Sequence, residues 1–324
     1  MGIDPLTRAQ SAVSVAVASR SFSRDARLRD ELLASFPLAT FNHTGRTLKA
    51  EELVTFLRGH DHAITGLERL DESVFRAVPE LRVVSKYGVG LDMIDLDAAW
   101  RCGVAVRWTP GVNRQAVAEL TVAMMIMLGR MMLPLARDTA AGIWHQPVGR
   151  QLSSATVGLV GCGHVGKRVA EICRAIDATV IAYDIVAYED FYRTHGIRAV
   201  TLDELLRTSD IVTLHLPLDA STRGMIGTAE LASMKASAFL VNAARGGLVD
   251  EAALKIALVE KRLGGAALDV YATEPPPDRE LLALHNVIPM PHIGASTQES
   301  VLAMGRAAIE GLTDPSREIA LSKR

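Results

Sequence analysis

Three polar residues stand where short apolar runs have just ended. Arg245 follows Val241-Asn242-Ala243-Ala244 and precedes Gly246-Gly247. Glu274 follows Leu268-Asp269-Val270-Tyr271-Ala272-Thr273 and precedes Pro275-Pro276. His292 follows Ile288-Pro289-Met290-Pro291 and precedes Ile293-Gly294. A guanidinium can grip a carboxylate through two parallel hydrogen bonds. An imidazole can exchange a proton near neutral pH, and a carboxylate beside it can orient and charge it. Hydride exchange between a nicotinamide and a hydroxyl-bearing carbon needs a set of this kind.

These groups need elements that bring them to one place. The stretch Thr156 to Asp184 supplies the frame. A β-branched run, Thr156-Val157-Gly158-Leu159-Val160, enters the turn Gly161-Cys162-Gly163-His164-Val165-Gly166. A helix-like run to Ile176 follows, and a second apolar strand, Thr179 to Tyr183, ends in Asp184. This strand–turn–helix–strand setting gives the G-x-G-x-x-G spacing its meaning. Gly161 makes the tight turn, Gly163 lets the backbone approach a pyrophosphate, and Gly166 lets the helix lie on the strand. The phosphates would meet free N–H groups at the helix N-terminus, and Asp184 would accept hydrogen bonds from an adenosine ribose. In open α/β sheets ligands bind outside the carboxyl ends of the strands, so Arg245, Glu274, His292 and the glycine turn can face one crevice.

The rest of the chain alternates in the same way. Strands are expected at Val13–Ala18, Ala63–Thr65, Arg82–Ser85 and Val104–Val106, with a loop at Arg20. Helices are expected at Asp25–Phe36, Glu51–Leu57, Glu72–Val78 and Asp97–Arg101. This is a first small α/β domain with a parallel sheet, closed by the turn Thr109-Pro110-Gly111. Asn113 would cap a Met-rich helix, Ala116 to Met132, that is apolar on nearly every side and therefore buried in a core or an interface. An irregular arm is expected over Arg137–Ser153. Further strands, Val157–Val160, Val180–Tyr183, Ile211–Leu214, Phe239–Asn242, Gly265–Leu268 and Val287–Ile288, form the glycine-turn domain. A final helix, Ser296–Gly311, returns to the first domain.

Composition agrees with a globular protein. The 324 residues, 49% hydrophobic and 22% charged, suit about two domains. A net charge of −2 gives no electrostatic reason to expect nucleic acid or an acidic membrane as partner. The three cysteines, Cys102, Cys162 and Cys173, are scattered without metal-ligand spacing, which suits a reducing cytoplasm and no metal. The most apolar run, Leu120 to Leu128, is cut by Gly129-Arg130, short of the ~20 residues a membrane span needs.

Several segments in order resemble the D-isomer-specific 2-hydroxyacid dehydrogenase family, phosphoglycerate-dehydrogenase-like branch. They are Lys86-Tyr87-Gly88-Val89-Gly90-Leu91-Asp92, Thr109-Pro110-Gly111-Val112-Asn113 with Ala116–Leu120, the glycine turn, and the segments around Arg245, Glu274 and His292. The resemblance implies two doubly wound parallel-sheet domains with the active site in the cleft. One is a Rossmann NAD-binding domain, residues 110–299, carrying the dimerisation helix and arm 113–150. The other is a flavodoxin-like, discontinuous substrate-binding lid, residues 12–109 plus 300–324.

The resemblance also implies roles. Arg245 binds the substrate carboxylate and polarises its 2-oxo group; His292 is the acid/base and Glu274 its partner. Tyr87, Gly88, Val89 and Gly90 hold the other edge of the substrate. NAD lies against Gly161, Gly163, His164, Val165, Gly166, Asp184, His215, Pro217, Ala243, Asp269 and Gly294, with Asp269 at the nicotinamide carboxamide. Asp184 selects NAD over NADP because a 2′-phosphate would face its carboxylate. The expected activity is NAD-dependent oxidation of a D-2-hydroxy acid, or reduction of its 2-oxo acid, in a cytoplasmic homodimer. Alternatives are 3-phosphoglycerate oxidation in serine synthesis and an NAD-sensing, corepressor-like binding role. Met93 stands where relatives often have Asn. Gly66 stands where phosphoglycerate dehydrogenases commonly place an Arg after the lid's third strand, so an unphosphorylated acid is expected to be the better substrate, unless Arg69, Arg20 or Arg46 substitutes.

Overall fold

The structure, a computed structural model, describes residues 13–319. The chain divides into two compact units, with crossings between Asn113 and Arg114 and again between Ser296 and Thr297. The expected outer limits of the first domain, residue 12 and residues 320–324, lie outside the described residues.

The first unit is built on strands β1 (Val15–Val17), β2 (Thr40–Phe41), β3 (His62–Thr65), β4 (Val83–Lys86) and β5 (Ala105–Arg107). They pair in the order β2-β1-β3-β4-β5, every pair parallel. This is the 2-1-3-4-5 order of flavodoxin-like sheets. Helices start where acidic side chains accept the first free N–H groups: Asp25 from Leu28, Asp71 from Val74, and Asp95 from Ala98. Arg20 opens a short helix, Arg20–Arg24, rather than the expected loop, because Ser19 caps it and Phe22 anchors it in the core. The last long helix starts at Gln298, not Ser296, since Thr297 accepts the Ser300 N–H at 3.1 Å and so sets the first turn. It packs tightly on this unit. A Cβ on Gly305 would stand 2.3 Å from Leu28, and one on Gly311 2.3 Å from Ser85. Ser85 also donates its hydroxyl to the Ala308 carbonyl at 2.7 Å.

The second unit holds β6 (Thr156–Val160), β7 (Thr179–Tyr183), β8 (Arg198–Ala199), β9 (Ile211–Leu214), β10 (Phe239–Asn242), β11 (Gly265–Leu268) and β12 (Val287–Pro289). Their order is β12-β11-β10-β9-β6-β7-β8, again all parallel. Neighbouring residues along each strand enter different cores. Leu159, Val180, Val241 and Ala267 pack on one face, while Val160, Ile181, Leu240 and Leu268 pack on the other. A sheet buried on both faces explains the continuous apolar strands. The order reverses between β6 and β9, and the glycine turn follows β6 at that switch point.

The Met-rich segment departs from the sequence-based expectation. In place of one helix over Ala116–Met132 there are two, Arg114–Gly129 and Met132–Ala140, bent by 64°. Pro134 gives the reason. A continuous helix would set its ring against the Arg130 carbonyl and remove one hydrogen bond. The chain breaks instead, with Met131 in the left-handed region at φ 51°. The irregular arm therefore begins after Ala140 rather than at Arg137. Asn113 does not cap: a turn leads into the helix, and the buried Asn113 Oδ1 has no hydrogen-bond partner. Among the described residues no single helix is long and apolar enough to cross a membrane.

Candidate active site

The second unit places its chemistry on loops just beyond strand ends. Glu274 and His292 meet: Nδ1 of the imidazole lies 2.8 Å from Glu274 Oε2. The other carboxylate oxygen, Oε1, accepts the Tyr271 N–H at 3.2 Å. His292 is held in the left-handed region at φ 56°, a conformation that costs a non-glycine residue about 1 kcal/mol or more and persists only when its surroundings enforce it. The enforcement comes from Asp269. This buried carboxylate accepts the Ile293 N–H at 2.8 Å and the Gly294 N–H at 2.7 Å, fixing the two peptides that follow the histidine.

The electrostatics follow from these contacts. The hydrogen bond to Glu274 raises the His292 pKa; burial opposes the rise, and the charges of Glu274 and Asp269 add to it against that of Arg245. For Glu274 burial pushes upward, but the His292 hydrogen bond and charge, the Tyr271 N–H and the Arg245 charge outweigh it, so the carboxyl titrates below its usual range. The result is a carboxylate–imidazole pair with Nδ1 engaged and Nε2 left to exchange a proton.

Arg245 belongs to the same field, since its charge acts on both partners. Its loop is shaped by the buried Asn242, whose side chain accepts the Ala244 N–H at 3.1 Å and donates to the Arg245 carbonyl at 2.9 Å. Gly246 then passes so close to the neighbouring loop that a Cβ would fall 1.8 Å from the Tyr271 carbonyl oxygen. Only glycine permits that approach, which ties the arginine loop to the loop carrying Glu274.

The glycine turn fits a pyrophosphate. Gly161 has φ 95°, and a Cβ on Gly166 would sit 2.2 Å from the Gly161 carbonyl oxygen, so neither position admits another residue. At Gly163 a Cβ would meet nothing within 4 Å; space is open where the diphosphate should approach. Helix His164–Ala175 starts there with no side-chain cap and no acid in its first turn, leaving its N–H groups for an anion. Burial lowers the pKa of His164, and the nearby charges of Arg114 and Lys167 lower it further, which marks a positive field at this terminus.

The remaining candidates fall as follows. Asp184 follows β7 and spans the turn, accepting from the Cys162 N–H at 2.6 Å and the Val186 N–H at 2.8 Å. His215 contacts Thr213 Oγ1 at 3.1 Å through Nε2, has an unpartnered Nδ1, and is pushed by burial down to about 3, so it is neutral. Pro217 is exposed, whereas Ala243 and Gly294 are buried. Both carboxylate oxygens of buried Asp269 accept from the His292 loop. No cluster among the described residues could hold a metal ion.

In the first unit, Tyr87–Gly90 follows β4. Tyr87 is buried edge-on against Phe22, its hydroxyl has no partner, and burial raises its pKa to about 12. Gly88 has φ 106°, and the Val89 carbonyl accepts the Trp108 indole N–H at 3.0 Å. Gly66 donates its N–H to the buried Glu68 at 2.6 Å, and its carbonyl accepts from buried Lys86. A Cβ at Gly66 would stand 2.9 Å from Ser19 Oγ, so a larger side chain there must displace Ser19. Arg46 pairs with Glu52 and Arg69 lies 3.8 Å from Asp71.

Arg245, Glu274 and His292, expected from their places after strands, stand within one electrostatic field, but their supports are less legible in the sequence. Trp108 and Asp269 reach across 19 and 24 residues, which no local pattern encodes, whereas Asn242 acts locally on the two residues that lead to Arg245.

Comparison with known proteins points in a single direction. Residues 122–294 match the family described as D-isomer specific 2-hydroxyacid dehydrogenase, NAD binding domain. The chain is 36% identical over 274 residues to a D-3-phosphoglycerate dehydrogenase of Archaeoglobus fulgidus, which covers 83% of this chain and 52% of that protein. It is 38% identical over 250 residues to a glyoxylate reductase of Korarchaeum cryptofilum, 75% of each chain. A crystal structure of D-lactate dehydrogenase from Aquifex aeolicus, complexed with NAD and lactic acid, superposes with a TM-score of 0.83 at 27% identity, over 92% of this chain and 93% of that one. The chain thus spans about half the length of the phosphoglycerate dehydrogenase it matches.

Proposed function

The chain belongs to the D-isomer specific 2-hydroxyacid dehydrogenase family, and from that premise we propose that it interconverts a D-2-hydroxy acid and its 2-oxo acid with NAD(H). The observation that carries the reading is the 2.8 Å contact of His292 with Glu274, within the field of Arg245 and on the same unit as the glycine turn. NAD, when bound, accepts or returns the hydride. Its diphosphate is assigned to Gly161, Gly163 and the N–H groups of His164, Val165 and Gly166. Its adenosine ribose is assigned to Asp184, and its remaining wall to His215, Pro217, Ala243, Asp269 and Gly294.

The chain's own residues do the rest. Arg245 grips the substrate carboxylate and draws electron density from the 2-oxo group. The Val89 and Gly90 N–H groups, with Tyr87 and Gly88, are assigned to substrate binding on the family resemblance. In oxidation neutral His292 takes the hydroxyl proton at Nε2 while Glu274 stabilises the charge that forms. In reduction the imidazolium returns the proton. Asp269 keeps the histidine aimed through both directions.

We also infer a homodimer built on helix Arg114–Gly129 and the arm to Arg150. Most of that helix is covered within its own unit, but Ile126, Met132, Ile143, Trp144 and Val148 expose large apolar side chains, Trp144 at 79% and Val148 at 96%. Such a run of exposed apolar groups marks an association surface. Three free cysteines, two of them buried, accord with a reducing cytoplasm.

The test is absorbance of NADH with a panel of 2-oxo acids including glyoxylate, pyruvate and hydroxypyruvate. Turnover of at least one is expected, abolished in His292→Ala. No turnover across the panel, with NADH still bound, would favour a binding role instead.

A further inference from the structure

We propose that Glu251 is a positioning residue for the acid/base pair: it fixes the loop that carries Glu274 and so sets the proton affinity of His292. This deepens the reading above and rests on it. Glu251 is the first residue of helix Glu251–Val259, the helix that follows the Arg245 loop. The helix start is already served by Asp250, whose side chain accepts the Ala252 and Ala253 N–H groups. Glu251 is therefore not needed as a cap. Its Oε1 instead reaches another loop and accepts the Ala272 N–H at 2.6 Å.

That bond completes a set of restraints on one short segment. The Tyr271 N–H goes to Glu274 Oε1, the Tyr271 hydroxyl to the Leu268 carbonyl at 3.1 Å, and the Tyr271 carbonyl lies against Gly246. The Ala272 N–H, the next donor along the chain, is held by Glu251. Restraints on consecutive peptides fix the direction in which the chain leaves Tyr271 toward Glu274, two residues after Ala272. The same carboxylate links the helix behind Arg245 to the loop of Glu274, so the carboxylate grip and the proton-exchanging pair share a strut. The charged groups facing His292 are Glu274, Asp269 and Arg245; those facing Glu274 are His292 and Arg245. Glu251 acts through geometry, by holding the Ala272 peptide.

The experiment compares Glu251→Ala, Glu251→Asp and Glu251→Gln with wild type. Glutamine keeps an acceptor of the same reach; aspartate keeps the charge and loses the reach. The first readout is the NMR titration midpoint of the His292 ring in the cofactor-free protein, assigned with His292→Ala. The second is kcat and KM for NADH with glyoxylate and pyruvate. Glu251→Ala and Glu251→Asp should lower the His292 midpoint toward that of Glu274→Gln and reduce kcat about 10–100-fold, as loss of an outer supporting hydrogen bond does in other sites, while KM for NADH stays put. Glu251→Gln should keep the wild-type midpoint. If Glu251→Ala does not fold, the aspartate and glutamine variants decide. A wild-type midpoint in Glu251→Asp while Glu274→Gln shifts it would overturn the inference and leave the pair intact. If Glu274→Gln itself leaves the midpoint in place, the acid/base reading fails, and the role given to Glu251 fails with it.

Discussion

His292 Nδ1 stands 2.8 Å from Glu274 Oε2, while the backbone that presents the imidazole is bent into the left-handed region by two N–H bonds to Asp269. Glu274 leads in raising the proton affinity of the ring and Asp269 adds to it, while Asp269 also fixes the two peptides that follow the histidine.

The pair dictates a pH dependence. An ordinary histidine titrates near ~6.5, and contact with Glu274 moves His292 above that. Oxidation needs the neutral ring, so its kcat/KM should rise with pH through the raised value. Reduction needs the imidazolium, so its kcat/KM should fall through the same value. Glu274→Gln removes the negative partner, and both midpoints should move to lower pH. Equal midpoints in wild type and Glu274→Gln, measured over pH 5 to 10, would count against the assignment. His292→Ala should lose roughly 10²–10⁴-fold in rate with NADH still bound, as fluorescence titration would report.

Arg245→Ala should act differently. Two charge-assisted hydrogen bonds vanish, each contributing ~1.5–3 kcal/mol, so kcat/KM should fall roughly 10²–10⁴-fold. The loss should appear in KM as well as kcat, because the carboxylate is held in both ground and transition states. Steady-state kinetics that show only a kcat effect would reassign Arg245 away from binding.

Asp184 is the residue we propose for cofactor choice. Its oxygens already accept from Cys162 and Val186, which pins the carboxylate beside the glycine turn. NAD should be preferred, and Asp184→Ser should narrow the gap by raising KM for NAD and lowering it for NADP. The ratio of kcat/KM for the two cofactors is the measurement; equal wild-type values would end this assignment.

Light scattering at micromolar concentration should give about twice 34.9 kDa. Trp144→Ser combined with Val148→Ser should shift the population toward the monomer, since both side chains are exposed in the single chain. A wild-type monomer would leave the apolar arm without a partner.

Unphosphorylated acids should outperform 3-phosphoglycerate. A phosphate needs cationic donors, yet position 66 is a glycine held by Glu68 and Lys86, Arg46 is paired with Glu52, and Arg69 lies near Asp71. A higher kcat/KM for 3-phosphoglycerate than for lactate or glycerate would refute the expectation.

Much of the architecture could be read from the chain because it is written in short-range signals. Buried strands are continuous apolar runs, and the glycine turn announces itself by spacing alone. Arg245, Glu274 and His292 stand out by following strands. What escaped has a different physical origin. The break at Met131 and the second helix through Pro134 fall at the end of the Met-rich run, where the apolar pattern gives no sign of a new helix. Ser19 and Asp278 cap helices too short for periodicity to register. Glu251 reaches Ala272 across 21 residues and Asp269 reaches Gly294 across 25, and such pairings exist only once the sheet has brought the loops together.

The return of helix Gln298–Gly311 to the first unit has a consequence for synthesis of the chain. Ser85 finds its partner Ala308 only 223 residues later. The strands of the first unit therefore wait for a segment made 223 residues after Ser85, while Arg114–Ser296 holds its whole sheet in one uninterrupted piece. At ~5–20 residues per second that wait runs from about ten seconds to most of a minute. During this interval the Leu28 and Ser85 surfaces have no cover. A stall in translation before Gln298 should therefore leave Arg114–Ser296 with every strand of its sheet, and Leu28 and Ser85 without the helix that covers them.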